Sequence, residues 1–183
     1  QPRQDGGLSR QRQPTAGDGI HLRPPLPADH LEISALFANL VPRHFGGAAT
    51  VAARHEMRAY MEPGATGRRL TDIAFPARNP ALVASNGSRI LGYGSVRDET
   101  HISQIFVVED WHRRGVGTAL LDGLISAIRH RHPKAERVTL NVTPRAVEFY
   151  LRRSFRPLGP WKHWPTGASL PMMRAVGRFG SCT

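Results

Sequence analysis

A strand, a glycine turn and a helix follow one another without a break in the middle of the chain. The apolar run over residues 102–108 has the character of a strand, and Gly115 and Gly117 open an amphipathic helix. Such a junction directs the unpaired N–H groups of the first helical turn, and the positive end of the helix dipole, toward one point. Because Arg113 and Arg114 add positive charge beside it, the segment predicts a phosphate-binding loop.

Two common phosphate-binding patterns do not fit this glycine pair. A Walker A loop has four residues between its glycines and then Lys-Ser/Thr, which the chain lacks. A dinucleotide-binding Gly-x-Gly-x-x-Gly needs a third glycine where this chain has Leu120. Spacing alone therefore leaves two interpretations open: a phosphate site, or a tight turn whose arginines point into solvent.

The same segment resembles motif A of the GCN5-related N-acetyltransferase (GNAT) superfamily, whose core pattern is Arg/Gln-x-x-Gly-x-Gly/Ala after the fourth strand. The two glycines fall on Gly115 and Gly117, and the first position falls on His112, a departure from the usual Arg or Gln. In that family the loop binds the pyrophosphate of acetyl-coenzyme A (acetyl-CoA), mainly through backbone N–H groups. The resemblance therefore implies acetyl-CoA as the co-substrate.

A second block, over residues 141–155, also resembles the family. GNAT sequences carry an Asn at the end of the fifth strand, then Ala-x-x-Leu/Phe-Tyr on a helix, then Gly-Phe. Here these positions hold Asn141, Ala146, Phe149, Tyr150 and Phe155, with Ser154 in place of the glycine. Two blocks in the family's order and spacing are more specific than either alone. The resemblance is good over residues 81–158 and extends less closely over residues 20–173.

The resemblance implies a role for residues of both blocks. Tyr150 would be the general acid that protonates the departing thiolate, since a phenol with a pKa of about 10 is protonated at neutral pH. Asn141 would order the site or pair with the pantetheine arm. Backbone groups of residues 105–108, where the fourth and fifth GNAT strands splay apart, would meet the pantetheine and the oxyanion. The implied donor-binding residues are Ile105, Phe106, Val107, Val108, His112, Arg113, Arg114, Gly115, Val116, Gly117, Thr118, Asn141 and Phe149. The alternative for Tyr150 is a core aromatic beside Phe149.

The order of the predicted elements agrees with the GNAT fold, an α+β sandwich in which a mixed, mostly antiparallel sheet has helices on both faces. The predicted strands cover residues 20–23, 81–85, 89–96, 102–108, 137–141 and 169–175. The predicted helices cover residues 30–40, 50–61 and 117–130, with one more beginning after Thr143. A long loop is predicted over residues 62–80.

Three local signals support these boundaries. Asp29 is predicted to cap the first helix, whose apolar positions are Leu31, Leu36, Phe37 and Leu40. Thr143 is predicted to cap the last helix, with Pro144 at its first position. The pair Asn86-Gly87 between two apolar runs predicts a hairpin.

The length of 183 residues predicts one domain, over residues 20–175. Residues 1–19, rich in Gln, Arg, Gly and Pro, are predicted to form a disordered basic arm, and residues 176–183 a flexible tail. The chain has no apolar stretch as long as a membrane span and no apolar segment typical of a signal peptide. The single Cys182 leaves no internal disulfide, so a cytoplasmic location is expected.

The net charge of +11 raises the question of nucleic acid as a partner. The basic residues are almost all arginines scattered along the chain, and no block of five or six like charges occurs. Attraction of a polyanion such as coenzyme A explains the charge equally well. Nucleic acid is therefore not expected to be a primary partner.

The general base is not identified by the sequence. The candidates are Glu56, Glu62, Asp98, Glu99, His101 and Glu109, and each is also explained as a solvated charge. No metal is expected, because His55-Glu56 lacks the second histidine of a zincin, and His130 and His132 would diverge on a helix. Trp161 and Trp164 either wall an acceptor pocket or form a surface aromatic loop.

These observations predict an acetyl-CoA-dependent N-acetyltransferase that transfers the acetyl group directly to a primary amine, without an acyl-enzyme. A small molecule or a peptide would supply the amine, and GNAT domains often form homodimers. Three alternatives stay open: a non-catalytic acyl-CoA-binding domain, an acyltransferase acting on an RNA-linked or protein amine, and an enzyme that uses a longer acyl donor. The sequence does not identify the acceptor.

Overall fold

The structure, a computed structural model, describes residues 19–45, 79–164 and 167–177. Its strands are β1 (His21–Arg23), β2 (Ala81–Ser85), β3 (Ile90–Arg97), β4 (His101–Val107), β5 (Arg137–Val142), β6 (Arg156–Pro157), β7 (Lys162–Trp164) and β8 (Gly167–Ala175). Its helices are α1 (His30–Phe45), α2 (Val116–Arg131) and α3 (Val147–Leu151). Short 3-10 turns cover Pro27–Asp29, Glu109–Trp111 and Pro144–Ala146.

The described strands form a mixed sheet in the order β1-β2-β3-β4-β5-β8-β6, with β7 paired to the first part of β8. The pairing of β4 with β5 is parallel, and the other pairings between described strands are antiparallel. The parallel pairing is short, because only His101 with Thr139 and Ile102 with Leu140 are in register. Beyond these residues β4 and β5 are not paired, which leaves a gap in the hydrogen bonding of the sheet at their carboxyl ends.

Helices cover both faces of this sheet. On one face, Ile33 and Phe37 of α1 pack against Tyr93 of β3 and Phe106 of β4. On the other face, α2 buries an apolar stripe against the strands; its members are Val116, Leu120, Leu121, Leu124, Ile125 and Ile128. Each fully buried side chain of this kind contributes roughly 1.5–3 kcal/mol of transfer free energy. The sheet is therefore the middle layer of a three-layer α+β fold, which confirms the predicted fold class.

Two glycines of β3 allow α2 to lie close to the sheet. A Cβ atom on Gly92 would lie 2.6 Å from the carbonyl oxygen of Phe106 on β4 and 3.0 Å from Cδ1 of Leu120 on α2, and one on Gly94 would lie 2.8 Å from Cδ1 of Leu124. A larger residue at Gly92 would therefore displace both β4 and the helix, and one at Gly94 would push the helix outward. This close packing sets the position of α2, whose first turn belongs to the candidate site.

The predicted hairpin is confirmed, with residues 86–89 joining β2 to β3. The side-chain oxygen of Asn86 accepts hydrogen bonds from the backbone N–H groups of Ser88 and Arg89. Gly87 has a φ of 88°, in the left-handed region that favours glycine. The helix predicted over residues 117–130 and the strand predicted over residues 137–141 also agree with α2 and β5 within one residue at each end.

Two details of the first helix differ from the prediction. Leu31, expected on the apolar face of α1, is 81% exposed, while Ile33 is buried. The carboxylate of Asp29 accepts two hydrogen bonds from the Arg23 guanidinium, at 2.6 and 2.8 Å, and one from the N–H of Leu26. The hydrogen bond from Arg23 is the main reason why the pKa of Asp29 lies below its usual value. Asp29 thus ties β1 to the turn that precedes α1.

The last predicted helix is only partly α-helical. Pro144 does stand at the first position, but Pro144–Ala146 is a 3-10 turn, and the α-helical part is confined to Val147–Leu151. The Thr143 side chain makes no capping hydrogen bond; its carbonyl accepts the N–H of Ala146 at 3.0 Å. Thr143 therefore stands at the predicted cap position, but its side chain does not do the capping, because the backbone closes this turn by itself.

Several sequence-based predictions fall outside the residues that the structure describes. They concern the arm up to residue 18, the helix over residues 50–61, the loop over residues 62–78 and the tail from residue 178. Within the described ranges, no helix is long and apolar enough to cross a membrane.

Candidate active site

The chain leaves β4 through a short turn that is anchored by Trp111. The Trp111 side chain is buried with Val116 and Leu120 at the start of α2, so the turn is held against the core. The guanidinium of Arg114 lies over the Trp111 ring, 5.3 Å from its centroid, and Arg113 is exposed with a φ of 59°. Both arginines therefore stand beside the amino end of α2, where their charge adds to that of the helix dipole.

Gly115 forms the start of α2 in a conformation that suits glycine. It is the residue preceding the helix, has a φ of 87°, and would place a Cβ atom in open space. The hydrogen bond from the N–H of Ala119 to the carbonyl of Gly115, at 2.9 Å, belongs to the first turn of the helix. The N–H groups of Val116, Gly117 and Thr118 precede this ladder and have no partner within the helix. The open side of Gly115 and these amides have the geometry that the predicted phosphate-binding loop requires.

Gly117 stands where the loop meets α3. A Cβ atom here would lie 3.6 Å from Cζ of Phe149 and 3.7 Å from Cγ2 of Val107, which are ordinary contact distances. An alanine would therefore fit, whereas any longer side chain would collide with Phe149 or enter the space above the first turn. Gly117 thus keeps the amino end of α2 open.

His112, the departure from the family pattern, holds the end of β4. Its Nε2 lies 2.9 Å from the carbonyl oxygen of Val107, although the side chain is exposed. Because a carbonyl oxygen only accepts hydrogen bonds, Nε2 carries the hydrogen and donates it. The contact was not expected from the sequence, where His112 was considered only as a motif position.

The carboxyl-terminal half of β4 borders the gap in the sheet, and its residues divide between the two edges. The N–H of Val108 donates to the carbonyl of Leu91 on β3 at 2.9 Å. Since the backbone groups of successive strand residues point to alternate edges, those of Ile105 and Val107 face the gap, and those of Phe106 and Val108 face β3. Of the four residues implied in donor binding, Ile105 and Val107 thus direct backbone groups into the gap.

Tyr150 lies on α3, at the same edge of the sheet as the glycine loop. Its ring makes edge-on contacts with Phe149 and Phe155, with centroids 4.9 and 5.5 Å away. Burial raises the pKa of Tyr150 to about 12, and the positive charge of Arg153 partly opposes this rise. The phenol is therefore protonated at neutral pH, as a proton donor must be. Phe149 bridges Tyr150 to Gly117, so the loop and the tyrosine belong to one cluster.

Asn141 lies apart from this cluster. It is inside β5, opposite Pro171 of β8, and its side chain is exposed. The next residue, Val142, is buried in the core against which Tyr150 packs. Because successive strand side chains point to opposite faces, Asn141 is on the face away from Tyr150. The structure brings together the glycine loop, Phe149 and Tyr150, and it does not bring Asn141 to them.

Arg153 is a member of the cluster that the sequence did not single out. Its guanidinium stacks on the Phe149 ring, 3.8 Å from the centroid, and Nη1 donates to the carbonyl of Phe149 at 3.0 Å. Nη2 donates to the hydroxyl of Thr118 in the first turn of α2. The available signal was its spacing of four residues after Phe149, which places both on one side of a helical turn.

The candidate bases lie in different parts of the molecule. His101, at the start of β4, bonds through Nδ1 to the hydroxyl of Thr139 at 2.9 Å, and burial lowers its pKa. Asp98 and Glu99 form the preceding turn with positive φ values. Since β4 has seven residues, this end of the strand is about 20 Å from its carboxyl end. Glu109 follows the other end of β4, whereas Glu56 and Glu62 lie outside the described residues.

The two tryptophans and the potential metal ligands were also considered as parts of the site. Trp161 is 40% exposed just before β7, and the side chain of Trp164 lies outside the described residues. Residues 19–45, 79–164 and 167–177 contain no group of three His, Cys, Asp or Glu side chains arranged to hold a metal ion.

Comparison with known proteins assigns the class of this fold and site. A family model described as an acetyltransferase (GNAT) domain matches residues 51–165. The chain therefore belongs to the GNAT acetyltransferase family, and with it to the acyltransferases. None of the curated protein sequences with which it was compared matches it.

Solved structures share the same fold at low sequence identity. A GCN5-related N-acetyltransferase from Rhodopseudomonas palustris is 21% identical, with a TM-score of 0.69 over 86% of this chain and 96% of that one. PaiA N-acetyltransferase from Thermoplasma acidophilum, solved in complex with coenzyme A, is 12% identical, with a TM-score of 0.68 over 86% and 99%. A GNAT acetyltransferase from Streptococcus pneumoniae is 17% identical, with a TM-score of 0.62 over 87% and 100%. These similarities concern the fold alone.

Proposed function

We propose that this protein transfers an acetyl group from acetyl-CoA directly to a primary amine of a small molecule or peptide. The observation that carries the proposal is the placement of three features at one edge of the sheet. These features are the open glycine turn of α2, the gap between β4 and β5, and the partly buried phenol of Tyr150. Each supplies one requirement of acyl transfer between a thioester and an amine.

The loop supplies the donor-binding part. The N–H groups of Val116, Gly117 and Thr118, the helix dipole, and the charges of Arg113 and Arg114 suit a pyrophosphate, because several donors converge on one anion. The open space at Gly115 fits this role, since a group can approach the backbone closely there. A related fold solved with coenzyme A, the PaiA N-acetyltransferase, supports the choice of ligand.

The gap and Tyr150 supply the chemical part. The donor brings the acyl group as a thioester. Backbone groups of Ile105 and Val107 face the gap and would orient the donor arm in the space that β5 leaves open. Tyr150, protonated at neutral pH, would give its hydroxyl proton to the sulfur as the carbon–sulfur bond breaks. The amine attacks the thioester carbonyl directly, so no residue of this chain is acylated, and the proton that the amine nitrogen loses passes to water.

The test is a calorimetric titration of the whole chain with acetyl-CoA, with ADP and desulfo-coenzyme A as companions. Binding of all three at micromolar concentration, followed by thiol release on addition of some members of an amine panel, is the expected result. Binding without thiol release across small amines and peptide amino termini would favour a non-catalytic acyl-CoA-binding domain. No binding at millimolar ligand would remove the proposal.

A further inference from the structure

Arg153 lies between the two halves of the candidate site. It follows α3, yet its Nη2 reaches the Thr118 hydroxyl in the first turn of α2, and its Nη1 is held by the Phe149 carbonyl. The guanidinium plane rests on the Phe149 ring. This side chain is therefore kept in one place by three contacts, next to the amides that begin α2.

Among the residues that the structure describes, the contacts of Arg153 leave its charge without a counter-charge. A hydroxyl, a carbonyl and an aromatic ring are all uncharged, and its buried Nε has no hydrogen-bond partner in the described part of the chain. A partly buried cation in such surroundings carries a desolvation cost. The cost is increased by the amino end of α2, which carries positive partial charge. An anion bound at this end of the helix would offset both contributions.

We propose that Arg153 is a further donor-binding residue, which contacts the pyrophosphate of acetyl-CoA from the segment that carries Tyr150. This inference rests on the function proposed above, because it requires a pyrophosphate at the first turn of α2. Only some of the five N–H donors of a guanidinium are used by Thr118 and Phe149, so others remain for phosphate oxygens. Since Tyr150 is three residues away, a phosphate held by Arg153 also sets the distance between the phenol and the donor.

The competing explanation is that Arg153 only braces α3 against α2. A brace depends on hydrogen bonds to neutral acceptors, which glutamine can partly replace, and on the contact with the Phe149 ring, whose loss lowers the melting temperature. A phosphate ligand depends on charge, which lysine retains and glutamine does not. The donor affinities of Arg153→Lys and Arg153→Gln, compared beside the melting temperatures of the two variants, therefore separate the two roles.

The experiment measures the dissociation constants of acetyl-CoA and of dephospho-acetyl-CoA, which keeps the pyrophosphate but lacks the 3′-phosphate. We expect Arg153→Gln to weaken binding of both ligands by about 10- to 100-fold, the range for a hydrogen bond to a charged group. Arg153→Lys should bind both more tightly than Arg153→Gln does. The melting temperature of each variant is recorded. If Arg153→Gln does not fold, the acetyl-CoA affinity of Arg153→Lys, and its dependence on salt concentration, are compared with those of wild type instead.

Arg137→Gln is the matched control. Arg137 is exposed at the start of β5, beyond the carboxyl end of α2, and the 16 residues of this helix separate it from the loop by about 24 Å. The same loss of charge there should leave both affinities within about twofold of wild type, because a screened charge acts over about 8–10 Å.

Three results would overturn the inference while the proposed function stands: unchanged affinity in Arg153→Gln, a loss with acetyl-CoA but not with its dephospho form, or a lysine variant no better than the glutamine variant. The second result would assign Arg153 to the 3′-phosphate. Failure of the wild-type protein to bind either ligand would instead defeat the proposed function, and the inference with it.

Discussion

The loop between β4 and α2 contributes mainly backbone groups to the candidate site, whereas residues 144–155 contribute side chains. In the loop, Gly115 and Gly117 keep the first turn of the helix open. In the second region, Phe149, Tyr150 and Arg153 form a stack of rings and a guanidinium. A site made of backbone tolerates substitutions that preserve its conformation, but one made of side chains depends on each chemical group. The two regions should therefore respond to mutation in different ways.

The largest effect is expected where a single group does the chemistry. Tyr150→Phe removes the hydroxyl but keeps the ring between Phe149 and Phe155. We expect kcat to fall by about 10²- to 10⁴-fold, the usual contribution of a general acid, while the dissociation constant of acetyl-CoA changes little. Steady-state thiol release and calorimetry measure the two quantities. A variant with wild-type kcat would show that Tyr150 is only a core aromatic.

A smaller effect is expected when a larger side chain occupies the space at the glycine loop. Gly117→Leu would place a branched side chain against Phe149 and Val107, which already lie 3.6 and 3.7 Å from a Cβ atom. We expect affinity for acetyl-CoA and for ADP to fall by roughly 5- to 150-fold, the equivalent of 1–3 kcal/mol of overpacking. Gly117→Ala is the control and should bind almost as wild type does. Equal losses in both variants would mean that conformational freedom, not space, is needed at this position.

His112 tests whether a side chain supports the backbone site. His112→Ala removes the hydrogen bond from Nε2 to the Val107 carbonyl. A hydrogen bond of this kind contributes about 0.5–1.5 kcal/mol, so affinity for acetyl-CoA should weaken by about 2- to 10-fold. His112→Gln, which offers an N–H donor from its amide, should lose less. Calorimetry measures the acetyl-CoA affinity of wild type and the two variants. Identical affinities would show that the end of β4 keeps its binding conformation without this hydrogen bond.

The smallest expected effect is the response of the catalytic region to alkaline pH. The general acid acts in its protonated form, which is present below its pKa and lost above it. Burial raises the pKa of Tyr150 to about 12, so its deprotonation should cause no loss of kcat up to about pH 11. The pH profile of kcat at saturating acetyl-CoA tests this. A descending limb between pH 8 and 10 that disappears in Tyr150→Phe would contradict the burial of the phenol.

Most of the loop region was predictable from the sequence, because its signals are local. Glycines at residues 115 and 117 after an apolar run predict a strand, a turn and a helix. The signal for the hairpin at Asn86-Gly87 is equally local. The predictions were wrong where helical spacing was used to infer which side chains make tertiary contacts. Leu31 has helical spacing but faces solvent, since the contacts of α1 with β3 use Ile33 and Phe37.

The second region was predicted only in part. The family resemblance pointed to Phe149 and Tyr150, and the structure places both beside the loop. It gave no indication of Arg153, whose importance comes from contacts with Thr118, 35 residues earlier. Asn141 shows the converse, because strand alternation places it on the face away from Tyr150. The roles of these residues stay predictions until the variants are measured.

Sequence by itself determined the class of the chain and the backbone half of its site, because hydrophobic period, turn glycines and motif order act between residues close in the chain. Only the tertiary structure decided which side chains meet. It did so through the short parallel pairing of β4 with β5, which opens the gap, and through the packing of Phe149 on the first turn of α2. Contacts between distant segments depend on how whole elements pack, and no local pattern of residues records that packing.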